Sequence, residues 1–183
     1  MAVAPHVELV ITGAPLARHA TRIAADVIAD GWTVSAVLSA SAIEWLDTAA
    51  LADVTGRQAK SQSRAPDQPR DRPRPGAVLL IPGTFNSLNK VRHGISDTPA
   101  LGVLNDAVGT RTPLLVVPMI SERLVDHPAW RETHAWLVAN EIAVLDPQTG
   151  RLDQLQPLAS GTGDGVARGF DTAGVTRWLK ELR

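Results

Sequence analysis

The sequence predicts a single α/β domain, spanning residues 1–183, with a parallel β-sheet. Short apolar runs rich in Val, Ile and Leu alternate with longer segments in which apolar residues recur at helical spacing. This alternation is typical of strands joined by crossover helices, and such strands pair in parallel. A length of 183 residues suits one domain. A chain of that size buries roughly 70% of its unfolded surface without help from a metal or a disulfide.

The first part of the chain predicts a strand–helix–strand unit. Residues 7–12 are apolar and β-rich, and residues 16–29 carry alanine, isoleucine and valine at helical spacing. Gly31 is placed to end that helix, as a C-terminal glycine does. Residues 33–38 form the second predicted strand, and a short helix follows through Trp45. Two strands separated by one helix indicate a crossover connection.

Residues 56–76 differ in kind from the segments on either side, because prolines and basic residues dominate them. They include Pro66, Pro69, Pro73, Pro75, Arg57, Lys60, Arg64, Arg70, Arg72 and Arg74. We interpret this segment as an extended surface loop. The alternative is a flap over the active site, or over a partner, that binds an anionic group.

The middle of the chain predicts a buried strand followed by two helices. The strand covers residues 77–81, which are apolar without a break, as in a strand covered on both faces. The first helix begins at Thr84 or Ser87, either of which can cap it. The second has Pro99 in its first turn and is expected to end before Gly109.

The last part of the chain continues the alternation. Residues 114–117 and 142–145 are predicted strands, and residues 128–140 form the predicted helix between them. The glycine-rich segment 161–169 is predicted to be a loop before a final amphipathic helix over residues 172–182.

Composition and charge exclude several classes of protein. Hydrophobic residues make up 44% of the chain and charged residues 20%, which is ordinary globular usage rather than that of a disordered chain. The formal charge is −1, whereas a protein that neutralises nucleic-acid phosphates carries a basic excess, so we expect no nucleic-acid partner. The chain has no cysteine, which excludes disulfides, thiolate metal sites and a cysteine nucleophile.

We also expect no membrane partner and a cytoplasmic location. No apolar run reaches the roughly 18 residues that a membrane span requires. Residues 1–5 lack the basic and apolar regions of a secretory signal. The histidines are widely separated, so their spacing predicts no metal site.

Small and hydroxyl-bearing residues follow four of the predicted strands. They occupy segments 12–14, 39–41, 82–86 and 118–121. Ligands of a parallel sheet bind outside the carboxyl ends of its strands, where such residues let backbone N–H groups and hydroxyls approach a phosphate. The alternative is that they only cap the helices that follow. No dinucleotide glycine fingerprint and no lysine-bearing phosphate loop is present. The residues alone therefore predict an α/β domain with a phosphate-containing ligand.

Five segments occur in the order and spacing of the motifs of one known family. They are 12–14 (TGA), 82–87 (PGTFNS), 89–97 (NKVRHGISD), 118–128 (PMISERLVDHP) and 158–161 (LASG). In that order they resemble the TGS, PASANT, AKxxxGIAD, PAMNxxMxxHP and LACG motifs of the flavin-containing cysteine decarboxylase family. That family includes phosphopantothenoylcysteine decarboxylases and the peptide-cysteine decarboxylases of lantibiotic biosynthesis.

The resemblance implies a Rossmann-like (flavodoxin-like) doubly wound parallel sheet, FMN as the cofactor, and a small-molecule or peptide thiol as the substrate. It also implies a homo-oligomer, as a trimer or a multiple of trimers. The FMN phosphate is expected at the turn after the first strand, and the ring system near a neighbouring subunit. The cofactor-binding residues expected on this basis are Thr12, Gly13, Ala14, Ser39, Pro82, Gly83, Thr84, Phe85 and Asn86.

Three residues that carry chemistry in that family differ here. The family's catalytic histidine corresponds to Gln68, its asparagine to Ser121, and the cysteine of its clamp loop, here residues 158–169, to Ser160. Ser121 and Ser160 are therefore the candidates for catalytic roles. A serine hydroxyl, whose pKa lies far above the ~8.5 of a thiol, is a poor donor of the proton that reduction of an enethiol needs. We do not expect phosphopantothenoylcysteine decarboxylase activity itself.

Two functions are compatible with these matches and departures. The first is oxidative decarboxylation of a C-terminal peptide cysteine or a related thiol. The alternative is a flavin-binding accessory or regulatory protein without decarboxylase activity. A flavin prenyltransferase shares the fold and the FMN site, but residues 82–87 resemble PASANT more closely.

The histidines have structural interpretations as well. We expect His127, before Pro128, to cap or brace a helix rather than to act in catalysis. His93 is expected to be exposed, the alternative being a place near the ring or a subunit interface. His19 either approaches the FMN phosphate or faces water.

Overall fold

The structure is a computed structural model that describes residues 4–63, 67 and 73–183. Gln68, and with it the position of the family's histidine, lies outside the described residues. The predicted loop 56–76 is described only in part. Its beginning pairs with an edge strand, because Lys60 N donates to the Ala36 carbonyl and Leu38 N donates to the Lys60 carbonyl. That stretch is held by the sheet rather than fully solvated.

The sheet has five parallel strands in the order β2-β1-β3-β4-β5. The strands are β1 (His6–Ile11), β2 (Thr33–Leu38), β3 (Ala77–Gly83), β4 (Leu114–Pro118) and β5 (Ala143–Val144). Leu9 of β1 lies opposite Ala36 of β2 and Leu79 of β3. The predicted parallel α/β sheet is confirmed. The strand order reverses between β1 and β3, because β2 lies on one side of β1 while β3, β4 and β5 follow on the other.

The helices connect these strands. They are α1 (Ala20–Ala29), α2 (Thr48–Thr55), α3 (Phe85–Arg92), α4 (Pro99–Thr110), α5 (Glu122–Val125), α6 (Pro128–Ala139), α7 (Gly163–Gly169) and α8 (Ala173–Glu181), with 3₁₀ helices at Pro15–His19 and Ala40–Trp45. No helix in the described ranges has the length and apolar character to cross a bilayer.

Buried side chains cover both faces of the sheet. Leu9 and Ile11 point to a core shared with Ile23 of α1 and Leu179 of α8. Val10, between them, belongs to a second core, which also contains Leu88, Leu104 and Leu137 from α3, α4 and α6. Successive side chains of β1 therefore point into two different hydrophobic layers, as expected for a continuous apolar strand that is covered on both faces. This arrangement confirms the doubly wound fold.

Two predicted element boundaries and one predicted loop were wrong. The first helix starts as a 3₁₀ turn, in which Ala17 N donates to the Ala14 carbonyl three residues back. Gly109 lies inside α4, because the buried face continues to Ala107 and the helix stops only at Arg111, with φ of 54°. The glycine-rich segment forms α7, whose Ala167 is buried against the first core. Tertiary packing outweighs the weak helix propensity of glycine there.

The chain after β5 is fastened by a buried carboxylate. Asp146 is fully buried and accepts hydrogen bonds from the backbone N–H groups of Gln148 (2.9 Å), Thr149 (2.7 Å) and Gln156 (2.6 Å). The Thr149 hydroxyl adds a fourth, at 3.0 Å. One side chain thus holds both ends of the connection between β5 and residues 158–169. Because these residues include a helix, we call them the clamp segment.

Candidate functional site

The carboxyl ends of the strands form one continuous edge. The Thr12 hydroxyl donates to the Pro82 carbonyl at 2.7 Å, which ties the turn after β1 to the end of β3. Ser39 N donates to the Ile11 carbonyl, and Met119 N to the Gly83 carbonyl, both at 2.9 Å. All four predicted strand-end segments therefore lie side by side. The point between β1 and β3, where the strand order reverses, is where parallel sheets of this order bind ligands.

The turn after β1 forms a cradle with the turn after β2. A Cβ atom at Gly13 would lie 2.7 Å from Ser41 Oγ and 2.8 Å from both Ser41 Cβ and the Ser41 carbonyl oxygen. Only glycine fits this approach. Ser39 Oγ lies 3.1 Å from Ser41 Oγ, so two hydroxyls stand beside the turn. We name residues 12–14, Ser39 and Ser41 the cradle.

The chemistry of the cradle suits a phosphate. Close backbone approach at a glycine, together with hydroxyl donors at the start of a helical turn, is how phosphate groups are commonly held. Ser39 was predicted as a cofactor residue, whereas Ser41 was not. Its signal was its place in the strand-end segment 39–41, but its contact with Gly13 depends on the pairing of β1 with β2. The buried Thr12 hydroxyl is committed to Pro82 and holds the cradle in place.

The end of β3 forms the second wall of the site. Pro82 and Gly83 are buried, and Thr84 caps α3 by accepting from Ser87 N at 3.3 Å. Of the two predicted candidates, Thr84 and Ser87, Thr84 is therefore the residue that caps α3. Phe85 is half-buried, and Asn86 is exposed, with a side-chain amide that makes no hydrogen bond to any described residue. An amide with all its donors and acceptors available suits a polar group of a ligand.

An aromatic contact that the sequence did not indicate joins this wall to α6. The rings of Phe85 and His127 meet edge to face, with centroids 5.4 Å apart and planes at 79°. His127 Nδ1 accepts from Ala129 N at 3.1 Å, so the histidine caps α6 as predicted. The cap places the ε edge of the imidazole away from the helix end. His93 is exposed at the end of α3, as expected.

The two candidate serines lie on neighbouring segments. Leu158 N donates to the Ile120 carbonyl (2.9 Å) and Glu122 N to the Leu158 carbonyl (2.8 Å), so Ser121 pairs with the start of the clamp segment. Ser160 N donates to Glu122 Oε1 at 2.9 Å. The side-chain hydroxyls of Ser121 and Ser160 bond no described residue. Glu122, which positions Ser160, was missed because its partner lies far along the chain.

The clamp segment packs over the 3₁₀ helix that follows the cradle. Arg18 Nη1 lies 2.9 Å from Asp164 Oδ1 of α7, and the Arg18 guanidinium stacks 4.9 Å from the centre of the Trp45 ring. A Cβ atom at Gly163 would come within 3.1 Å of Pro15 Cγ. Residues 158–169 therefore close against the same corner of the sheet that carries the cradle.

A strand-order reversal with a close glycine approach and two hydroxyls beside it is the architecture of α/β proteins that bind phosphate-bearing ligands. Residues 1–164 match the family described as Flavoprotein, and the chain belongs to that family. The match confirms the predicted resemblance and the expectation of a flavin cofactor.

The chain is also similar in sequence to a known protein. The coenzyme A biosynthesis bifunctional protein CoaBC of Thermococcus kodakarensis is 26% identical over 145 residues, which are 76% of this chain and 36% of that protein. The chain thus spans about a third of the length of that relative.

Two solved structures share the fold. One is a cysteine-to-serine mutant of PPC decarboxylase complexed with pantothenoylaminoethenethiol, with a TM-score of 0.73, 18% identity and 98% of each chain covered. The other is the FMN-dependent cysteine decarboxylase TvaF from thioviridamide biosynthesis, with a TM-score of 0.69 and 19% identity over 78% of this chain and 90% of that one. Decarboxylases are thus among the proteins that share the fold of this chain.

Proposed function

We propose that the chain binds FMN and catalyses oxidative decarboxylation of a thiol substrate, such as a peptide that ends in cysteine. The observation that carries this proposal is the close approach of Gly13 to Ser41 at the carboxyl edge of the sheet, which suits a phosphate. The clamp segment beside that edge has serine at position 160. The fold match to a cysteine decarboxylase described as FMN-dependent supports the choice of flavin and of substrate class. Assembly as trimers or multiples of trimers is part of the proposal.

The residues present fit FMN in two places. The cradle has the close backbone approach and the hydroxyls that a phosphate needs. Residues 82–86 offer a buried floor, with Phe85 and the available amide of Asn86 at its rim, for the ring system. Bound FMN supplies the two-electron oxidation of a thiol to a thioaldehyde.

The chain's own groups determine the final product of that oxidation. The thioaldehyde carbon withdraws electrons from the neighbouring carbon, so CO2 leaves and an enethiol remains. Reducing the enethiol to a saturated thiol would require two things: a hydride returned by the reduced flavin, and a proton from a donor beside the substrate. Ser160 offers only a hydroxyl at that place, and a hydroxyl is a weak acid compared with the thiol of the related enzymes. The enethiol is therefore the expected product.

The test is an absorbance spectrum followed by a peptide assay. The purified protein should show the flavin bands of bound FMN, and cysteine-ending peptides should lose the mass of CO2 and two hydrogens. The same peptides ending in serine serve as the control, since they have no thiol to oxidise. Loss of CO2 alone would contradict the assignment of Ser160. A protein that shows the flavin bands but leaves every peptide unchanged would contradict the proposed decarboxylase activity.

The second candidate is a flavin-binding accessory or regulatory protein. It is favoured by Gln68 and Ser121, which stand where the family has its histidine and asparagine. On this view the flavin binds but thiol substrates do not bleach it. Rapid bleaching by a cysteine-ending peptide would reject this candidate in favour of the first.

Asn86→Asp is expected to weaken FMN binding about 10-fold, because a carboxylate cannot donate the hydrogen bonds of the amide and carries a charge to be desolvated at the ring. Fluorescence quenching of titrated FMN measures the affinity. Asn140→Asp is the matched control, since Asn140 lies at the end of α6 and donates to the Trp136 carbonyl. Equal affinities for both variants and the parent protein would place the flavin elsewhere.

A further inference from the structure

The middle of the clamp segment is exposed and has few attachments. Leu158 is buried, whereas residues 159–162 are exposed, and the chain turns at Gly161, whose φ of 80° lies in the left-handed region. Within the described ranges, one hydrogen bond ties residues 159–162 to a residue outside the clamp segment. It runs from Ser160 N to Glu122 Oε1 at 2.9 Å. The position of Ser160 therefore depends on Glu122.

The bond from Ser160 continues a short parallel ladder between the turn after β4 and the clamp segment. The ladder begins with the two backbone bonds that join Leu158 to Ile120 and to Glu122. In a parallel ladder, the next N–H, that of Ser160, would donate to the backbone carbonyl of Glu122. Glu122 is the first residue of α5, so its backbone turns into a helix and its side-chain carboxylate accepts the bond instead. The carboxylate thus extends the ladder as far as Ser160.

The charge of the carboxylate strengthens this bond. Hydrogen bonds to an ionised acceptor are roughly twice as strong as those between neutral groups. In the part of the chain that the structure describes, Ser160 N is the one partner of the Glu122 carboxylate, which pairs with no cation. Glu122 is exposed, so its removal costs the folded state little in buried contacts. The effect of removing it therefore falls on residues 159–162.

We propose that Glu122 is a positioning residue of the candidate active site, and that it sets the affinity for the thiol substrate by holding Ser160 in place before the substrate binds. The inference rests on the proposed function, which puts Ser160 beside the substrate. A segment that is already ordered loses less conformational entropy when it closes on a ligand, so the ligand binds more tightly. Glu122 itself touches no reacting atom and acts through Ser160.

Positioning of this kind affects KM more than the rate of the chemical step. Without Glu122, the substrate must itself order residues 159–162, which weakens binding of the ground state and of the transition state equally. Such a loss of uniform binding raises KM and leaves kcat nearly unchanged. A carboxylate that accepted or donated a proton in the reaction would instead lower kcat when it was replaced. Kinetics therefore distinguish the two roles.

Two substitutions separate the hydrogen bond from the charge. Glu122→Gln keeps a side-chain oxygen that can accept from Ser160 N, whereas Glu122→Ala has none. With a cysteine-ending peptide, Glu122→Ala should raise KM about 10-fold and change kcat less than about 2-fold, and Glu122→Gln should stay within about 3-fold of the parent KM. Glu181→Ala is the matched control and should leave both constants unchanged, because Glu181 is an exposed glutamate at the end of α8.

A second measurement does not depend on turnover. Amide hydrogen exchange at Ser160, followed by NMR in the purified protein with and without FMN, reports the bond directly. The exchange should be about 10-fold faster in Glu122→Ala than in the parent or in Glu122→Gln. Exchange at Leu158, whose N–H donates to the Ile120 carbonyl, should stay unchanged in all of them. Leu158 therefore controls for the folding of the same segment.

Three results would overturn the proposal. Equal exchange at Ser160 in the parent and in Glu122→Ala would mean that Glu122 does not hold the segment. An unchanged KM in Glu122→Ala would mean that the bond does not affect substrate affinity. A loss of kcat in both variants would make the carboxylate a proton-transfer group instead. A parent protein that binds FMN but leaves every peptide unchanged refutes the proposed function separately, and the exchange at Ser160 still decides whether Glu122 positions the clamp segment.

Discussion

Replacing Gly13 by alanine is expected to lower FMN affinity about 100-fold. The added Cβ would lie 2.7–2.8 Å from three atoms of Ser41, two of which are its Cβ and its backbone carbonyl oxygen. Neither can rotate away, so one of the two turns must shift. Overpacking of this kind costs about 1–3 kcal/mol, and about 2.8 kcal/mol corresponds to a 100-fold change in affinity. Fluorescence titration of the variant with FMN measures the loss.

The matched control for this variant is Gly109→Ala. A Cβ at Gly109 meets no atom within 4 Å, and the residue lies inside α4. Alanine should leave FMN affinity unchanged there and raise the free energy of unfolding by about 0.5–1 kcal/mol, since glycine is unfavourable within a helix. If Gly13→Ala binds FMN as tightly as Gly109→Ala, the phosphate does not lie at the cradle.

Asp146→Ala is expected to have the largest effect on stability. Four hydrogen bonds end on this fully buried carboxylate, and removing it leaves the N–H groups of Gln148, Thr149 and Gln156 without their acceptor. Each stranded buried donor costs about 1–3 kcal/mol, although partial exposure of the turn reduces the sum. We expect a loss of about 3 kcal/mol, which lowers Tm by roughly 6–12 °C for a domain of this size.

Thermal unfolding followed by circular dichroism measures that change. Asp171→Ala is the control, because Asp171 is exposed and accepts a hydrogen bond from Ala173 N alone. It should cost no more than about 1 kcal/mol. Equal decreases in Tm for the two variants would show that the turn after β5 does not depend on its buried carboxylate.

Local sequence determined the elements and the chemistry of the strand ends. The strands could be predicted because a short, continuous run of apolar residues is typical of a parallel strand that is buried on both faces. Caps could be predicted at Thr84 and His127 because both bond to backbone only two or three residues away. The stop at Gly31, with φ of 87°, follows from the same kind of local rule.

Contacts between distant segments were decided by the tertiary structure. Gly13 meets Ser41 because β1 pairs with β2, and Phe85 meets His127 because the helices after β3 and β4 lie side by side. The helix at 163–169 forms because its buried face has the sheet and the 3₁₀ helix to pack against, despite its glycines. The sequence by itself therefore determined the parallel α/β fold and the residues available at its carboxyl edge. Which of them meet depends on strand order and helix packing, because those interactions join residues that no local pattern connects.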